Sequence, residues 1–413
     1  MPVRAVGPDV RAEFRRLWSD LDAVGKDPGS GGYRRFAWTA ADQSLREWFA
    51  GEAARRGLDL TTDRVGNQWA WWGDPDAALA EGRRGIVAGS HLDSVPDGGA
   101  FDGPLGVVSA FAAVDALRDS GFEPVRPICI VNFLDEEGAR FGIACAGSRL
   151  LTGALSADRA LALSDADGTT MAEAMDAAGH DPTQVGPDPE TTGRIGAFVE
   201  LHVEQGRGLV DLGRSVAVGS AIWPHGRWRI DVPGEANHAG TTRLADREDA
   251  MLGFAATVIA ARRAAQEHGG VATVGKALIT PGGVNAIPSA VCAWLDARGE
   301  QEETVRRIVA EVSAIADDFG ATVTEESWTG STAFDAALVS VLEARLGGLP
   351  VLTTGAGHDA GILANAGVPS AMLFVRNPTG ISHSPSEFAE EGDCLDGVAV
   401  LAAALAGLSG APA

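Results

Sequence analysis

Gly85-Ile86-Val87-Ala88-Gly89-Ser90-His91-Leu92-Asp93-Ser94, continuing to Phe101-Asp102-Gly103, is the stretch on which the fold turns. Its first residues form a short apolar run bounded by turn signals, the pattern of a buried strand. A histidine and two aspartates follow within a few residues of the strand's C-terminal end. In an open α/β sheet, ligands gather in the crevice beyond the strand ends. Imidazole and carboxylate together are a ligand set that zinc and similar divalent ions accept.

The flanking sequence repeats this arrangement. Residues 103–120 read as a helix with Val107, Val108, Phe111, Val114 and Leu117 on one face, and 128–134 as a strand running into Asp135-Glu136-Glu137-Gly138. Upstream, helical spacing covers 10–21 and 40–56, and short strands are expected at 58–63 and 67–73. Downstream, 171–179 is helical, and 197–206 reads as a strand end or a helix start carrying His202. The pattern then changes. Strands at 228–232, 271–279, 290–297 and 321–324, with helices at 247–268 and 302–319, spell βαββαβ, a self-contained ferredoxin-like unit. Sheet-and-helix text resumes after residue 351 with a strand at 371–375, then His383, then an Ala/Leu-rich closing helix from Cys394. The expected organisation is a catalytic domain, 1–215 and 329–413, interrupted by an inserted domain, 216–328.

With 413 residues, 45% of them hydrophobic and 22% charged, the chain has the composition of a globular protein of about two domains. A formal net charge of −23 argues against nucleic acid or an anionic membrane as partner. The four cysteines, Cys129, Cys145, Cys292 and Cys394, contain no CxxC pair, so neither a disulfide framework nor a thiolate zinc site is expected. Cys129 sits in an apolar run and reads as a small core residue. The N-terminus lacks the apolar core of a signal peptide, and no stretch reads as long and apolar enough to span a bilayer; a cytoplasmic location is the expectation.

Four places at or beyond expected strand ends therefore need explaining: His91 with Asp102, Glu136 with Glu137, His202, and His383. A carboxylate shared by two metal ions, each completed by His or carboxylate, holds a water whose pKa falls toward ~7. A neighbouring Glu that is not a ligand can take that water's proton and pass it to a leaving nitrogen.

Seven motifs in order carry a resemblance: Gly89-Ser90-His91-Leu92-Asp93-Ser94, Gly99-Ala100-Phe101-Asp102-Gly103, Glu136-Glu137-Gly138-Ala139-Arg140-Phe141, Glu200-Leu201-His202-Val203-Glu204-Gln205-Gly206, Asn237-His238-Ala239-Gly240-Thr241-Thr242, Gly355-Ala356-Gly357-His358-Asp359-Ala360 and Ser382-His383-Ser384-Pro385. Together they resemble the amidase/hydantoinase/carbamoylase family of dinuclear-metal amidohydrolases, which includes allantoate amidohydrolase, N-carbamoyl-L-amino-acid hydrolase and β-ureidopropionase. The resemblance implies an α/β class: a zinc-aminopeptidase-like α/β/α catalytic domain with an inserted ferredoxin-like βαββαβ lid and dimerisation domain. It implies two divalent metal ions per subunit, Zn or Mn/Co. Asp102 would bridge them, with His91 and His202 completing one and Glu137 and His383 the other. Glu136 would be the general base, and Asp93 would orient the His91 ring.

In the insert, the resemblance makes His238 the group that stabilises the oxyanion, and Asn285 and Arg298 a substrate-binding pair. Gln205 would contact the ureido group. Arg suits a carboxylate because its planar fork donates two parallel hydrogen bonds. The insert would close over the metals and form a homodimer, with His238 serving its own or the neighbouring chain's site. The chain departs from the family at Arg243, where Pro is frequent, and at 222–228, which lacks a Gln-Arg-Arg sequence. His225 there either touches substrate or packs against the two Trp. Arg376 near His383 suggests a second carboxylate or polar group on the substrate. Residues 355–360 are a substrate loop or a helix start, with Asp359 in support.

The expected activity is hydrolysis of the ureido C–N bond of a small carboxylate, with allantoate first and an N-carbamoyl-L-amino acid close behind. An N-formyl or other N-acyl amino acid is the third alternative, and a non-catalytic binding protein the reading from another class. Asn285 and Arg298 make an aminopeptidase the weaker choice.

Overall fold

In a computed structural model of the chain, residues 6–410 are described. They form two compact units, one of residues through Ser220 together with those from Ala333 onward, the other Ala221–Thr332.

The first unit is built on a mixed sheet. Its strands run in the spatial order Asp59–Thr62, Gln68–Trp72, Ile128–Phe133, Gly85–His91, Ile195–Val203, Ser370–Val375, Val216–Ile222 and Thr332–Ala333, with Val351–Thr354 also beside Val216–Ile222. The central four, from Ile128–Phe133 to Ser370–Val375, are mutually parallel. Antiparallel strands flank them on both sides. Every residue of Gly85–His91, Ile128–Phe133 and Ser370–Val375 is buried. Burial on both faces is why these strands read as unbroken apolar runs rather than alternating ones.

From Gly85–His91 the chain crosses to Ile128–Phe133 on one side and later to Ile195–Val203 on the other. The reversal of strand order falls between the strands that carry His91 and His202, the place where an open sheet leaves a ligand crevice.

Helix Pro104–Asp119 makes the first crossover. It starts on Gly103 with φ of 87° and has Pro at its first turn. A Cβ on Gly103 would lie 2.4 Å from the His91 ring. Glycine is therefore required both for the left-handed turn and for the imidazole's approach. The helix packs on the closing helix Glu391–Ser409. That closing helix meets the length and composition of a membrane span, contrary to expectation. Here Leu395, Val398, Leu401 and Leu405 are buried inside the unit, so its apolarity is that of a core helix.

The second unit is a four-stranded antiparallel sheet in the order Thr322–Thr329, His225–Pro233, Ala290–Arg298, Val271–Thr280. Helices Ala250–His268 and Glu302–Asp317 cover one face. Burial alternates strictly along Ala290–Arg298. Val291, Ala293, Leu295 and Ala297 meet Trp228, Ile230, Val305, Ile308 and Val312 in the core. The chain order is the βαββαβ read from the sequence. An additional two-residue ladder pairs Asn237–His238 with Ala286–Ile287.

The unit boundaries lie a few residues inside the expected 216 and beyond the expected 328. Val216–Ile222 is hydrogen-bonded to Ser370–Val375 and so belongs largely to the first sheet, and residue 328 falls within Thr322–Thr329.

Candidate dinuclear metal centre

The four parallel strands end on one side, and each delivers chemistry there. His91 is the last residue of its strand and His202 the last but one of Ile195–Val203. Glu136 and Glu137 follow Ile128–Phe133, and His383 lies on the loop after Ser370–Val375.

Asp102 joins them. Its Oδ1 lies 3.1 Å from His202 Nε2 and 3.6 Å from His91 Nε2. Its other oxygen, Oδ2, lies 3.4 Å from His383 Nε2, and that nitrogen is 3.6 Å from Glu137 Oε2. Ligand atoms of His91, Asp102 and His202 lie within 4.8 Å of one another, and so do those of Asp102, Glu137 and His383. The two groups share one carboxylate, one oxygen facing each.

The buried Nε2 atoms of His91 and His202 and Oε1 of Glu137 have no hydrogen-bond partner. A cation fits such a donor set: imidazole nitrogens and carboxylates converge, and the orphaned lone pairs are otherwise costly. Both rings are turned by their other nitrogen. His202 Nδ1 is 2.9 Å from the Val203 carbonyl, and His91 Nδ1 is 3.2 Å from the Asp93 carbonyl. Donation from Nδ1 leaves the Nε2 lone pair facing the centre.

The Asp93 side chain does more than orient a ring. Its Oδ1, 3.3 Å from His91 Nδ1, accepts the Glu136 amide, and its Oδ2 accepts the Glu137 amide. The loop bearing Asp93 is held in turn by the N-terminal segment. Arg35 N donates to Ser94 Oγ, and Ser94 N donates to the Arg35 carbonyl.

Glu136 stands apart from both ligand groups, with Oε2 3.8 Å from His91 Nε2 and Oε1 3.3 Å from the Cys145 thiol. Burial, reinforced by Glu137 and Asp359, raises its carboxyl well above the usual range. Burial, then Asp102, raises Glu137 to about 7. Asp102 behaves oppositely: burial works against its charge, but His202, His383 and His91 outweigh this and hold it well below the carboxylate range. The contact with Asp102 lifts His383 to about 9.

Two neighbours, His358 and Glu200, were not singled out from the sequence, whereas Asp359 and Gln205 were. The buried His358 ring packs edge-on against His202, with centroids 4.5 Å apart. Burial, then His202, pushes it well below the usual imidazole value. Asp359 begins helix Asp359–Asn365 and accepts from Ser148, while Glu200 accepts from Ser90 and from the Ala360 amide. The Gly355–Asp359 motif was the available signal, since it places a His beside an Asp before a helix. Gln205 Nε2 donates to Asp102 Oδ2 at 2.8 Å, while its Oε1 is buried and without a partner.

Arg376 is not a spare cation. Its guanidinium makes a two-pronged pair with Asp393 at 2.8 and 2.9 Å, so the second-carboxylate expectation loses its support.

His238, Asn285 and Arg298 belong to the second unit, and that unit does not bring all three together. His238 is paired with Ala286, and the Ala239 amide donates to the Asn285 carbonyl, so His238 and Asn285 are neighbours. Arg298 ends the strand Ala290–Arg298, across from His225 and paired at its side chain with Asp296. Ala290 to Arg298 is eight steps of strand, about 27 Å at ~3.4 Å per residue, and Asn285 lies before its far end. Within one copy, Asn285 and Arg298 are not a pair. His225 Nδ1 lies 2.9 Å from the Trp223 carbonyl.

A model of peptidase family M20/M25/M40 matches residues 87–407. The chain belongs to this family. An N-carbamoyl-L-amino acid amidohydrolase of Geobacillus stearothermophilus is 36% identical over 402 residues, covering 94% of this chain and 96% of that one. Allantoate amidohydrolase of Escherichia coli K12 is 31% identical over 394 residues, covering 92% and 94%. The crystal structure of a hydantoinase/carbamoylase-family amidase from Burkholderia vietnamiensis matches with a TM-score of 0.86 at 31% identity, covering 99% of each chain. The M20 fold and its α/β class are thus this chain's own. It is a hydrolase acting on C–N bonds other than peptide bonds.

Proposed function

We propose that this M20 protein hydrolyses the ureido C–N bond of a small carboxylate, with an N-carbamoyl-L-amino acid as substrate in preference to allantoate. The observation that carries the chemistry is the shared Asp102 carboxylate, with one oxygen toward His91 and His202 and the other toward His383. The preference rests on two further points. Arg376 is occupied by Asp393, and the 36%-identical relative acts on N-carbamoyl-L-amino acids.

In this reading His91, Asp102 and His202 would hold one divalent ion, and Asp102, Glu137 and His383 the other. Bound ions supply Lewis-acid polarisation of the carbonyl and acidify a water. Glu136 would take a proton from the attacking water and deliver it to the leaving nitrogen as the C–N bond breaks. Gln205 Oε1 accepts a ureido N–H. Arg298 would exchange its part-exposed partner Asp296 for the substrate carboxylate, gripped through paired hydrogen bonds, whereas the buried Asp393 keeps Arg376. His238 and Asn285 contact the carbonyl and stabilise its developing negative charge.

The distance between Asn285 and Arg298 favours a division of labour in a homodimer, with Arg298 and the neighbouring His238 and Asn285 reaching one substrate from different chains. The second unit offers a surface for such pairing. The Val271–Thr280 strand has a free edge among the described residues, with Val271, Leu278 and Ile279 exposed. Leu252 and Ile259 on helix Ala250–His268 are 64% and 68% exposed. Free strand edges and exposed large apolar side chains are features a second copy can cover.

The test is ammonia and amine release by purified protein reconstituted with Mn or Zn, against allantoate, N-carbamoyl-β-alanine, several N-carbamoyl-L-amino acids and N-formyl-L-glutamate. Highest kcat/KM on an N-carbamoyl-L-amino acid is expected. Preference for allantoate would overturn the substrate and keep the chemistry; no turnover on any of them would overturn both.

A further inference from the structure

We infer that Glu387 is a positioning residue that fixes the shared carboxylate Asp102 against the loop carrying His383. The inference rests on the reading of Asp102, Glu137 and His383 as metal ligands.

Asp102 and His383 are far apart in the chain, and His383 sits on an irregular loop with φ of 55°. Something must set their separation, because a ligand set displaced by even an ångström loses its ion. Glu387 makes the connection. Its Oε1 accepts the amides of both Phe101 and Asp102 at 2.9 Å, and its Oε2 accepts the Ser382 hydroxyl contact at 3.0 Å. Ser382 Oγ is also 3.1 Å from Asp102 Oδ2 and accepts from Gln205 Nε2 at 3.2 Å. One side chain thus ties the backbone of the bridging residue to the residue immediately before His383.

Glu387 is 5% exposed, so its contacts are protected from water. It is not one of the clustered metal-binding groups, and both its oxygens are occupied by amide and hydroxyl groups. The Asp102 loop is shaped around it: a Cβ on Gly99 would fall 2.4 Å from Glu387 Cβ and Oε1. The sequence keeps glycine where the two segments touch. A buried carboxylate that accepts three hydrogen bonds from two distant segments holds those segments in register.

The connection depends on acceptors rather than on charge. A glutamine can keep Oε1 on both amides and turn its NH2 to Ser382 Oγ, which can accept it. The experiment is therefore a comparison of Glu387→Ala, Glu387→Gln and Ser382→Ala in the full-length protein, with His383→Ala as control. Each is read for metal equivalents and affinity by chelator competition with Mn(II) or Zn(II), for melting temperature, and for kcat and KM.

Wild type should bind two ions and His383→Ala one. Glu387→Ala should weaken the ion held by Glu137 and His383 by about 10–100-fold, lowering kcat with KM changed less than about threefold. Glu387→Gln should restore both to within about threefold, and Ser382→Ala should fall between. If Glu387→Ala does not fold, the Gln and Ser382→Ala comparison decides. Wild-type metal affinity in Glu387→Ala, or in Ser382→Ala where that comparison decides, overturns the inference. So does a Gln variant as damaged as Ala. A wild type that binds fewer than two ions, or a His383→Ala that keeps both, overturns the underlying ligand reading instead.

Discussion

Arg298 ends the strand Ala290–Arg298 across from His225, while Asn285 lies ahead of that strand's other end, beside His238. Two side chains so placed cannot grip one small molecule from the same copy of the chain, which makes their cooperation a question about two copies. Asn285→Ala and Arg298→Ala homodimers should each lose kcat/KM, by about 2 kcal/mol for a lost charged hydrogen-bond contact at Arg298. Unfolding and refolding them together at equal amounts should regain about one quarter of wild-type activity, because half the dimers are mixed and one site in each is whole. No regain would show that both residues act from one chain.

Glu136→Gln should leave two bound metals and reduce kcat by about 10²–10⁴-fold, the usual contribution of a positioned base. The side chain stays close to isosteric, and the Asp93 contact is to its backbone amide, which the substitution spares. Metal analysis beside single-turnover kinetics checks it; undiminished turnover would remove Glu136 from the chemistry.

His383 stands at about 9, above its ordinary value because of Asp102. An ion must displace that proton, so metal affinity should rise with pH up to about 9 and level off above it. In chelator-stripped protein the sign reverses for stability. The His383–Asp102 contribution is fully present below pH 6.5 and is lost as pH rises through about 9. Competition titrations and melting curves across that range check both, and a flat affinity profile would count against His383 as a ligand.

Asp359 is raised to about 8 by burial and by Glu200. The fold therefore binds more protons than the unfolded chain between its ordinary value near 3.8 and about 8, and stability falls as pH rises through that window. Asp359→Asn, which keeps an acceptor for Ser148, should flatten this slope and raise the melting temperature of stripped protein at pH 8 relative to wild type. An unchanged slope would mean that Asp359 is ionised throughout.

Ile259→Glu combined with Leu278→Lys places charge on the exposed helix and edge strand of the second unit. Sedimentation should then report single chains, with both metals still bound and turnover lost. A dimer of unchanged mass would move the interface elsewhere.

Much of this was legible in the sequence because buried parallel strands are written as short apolar runs and because their polar ends break those runs abruptly. Gly85–His91, Ile128–Phe133 and the alternating Ala290–Arg298 were readable for that reason. Short strands such as Val351–Thr354 carried too few residues to show a period. The grouping of His91, Asp102, His202 and His383 followed from their common placement beyond strand ends. What could not be read was direction and distance. Arg376 looked available until its partner Asp393, on another element, came into view, and Asn285 and Arg298 looked adjacent in role because sequence separation says nothing about which end of a strand each occupies.

The clustered metal-binding groups all come from outside Ala221–Thr332, and the chain departs from and rejoins the large sheet on the strands Val216–Ile222 and Thr332–Ala333. In the reading proposed above, the ions are anchored by one stretch of the gene, while the grip on the substrate carboxylate is encoded in another. Substitutions within Ala221–Thr332 can therefore shift which compounds are accepted without altering any residue that would hold an ion, which leaves diet free to drift while the chemistry stays put.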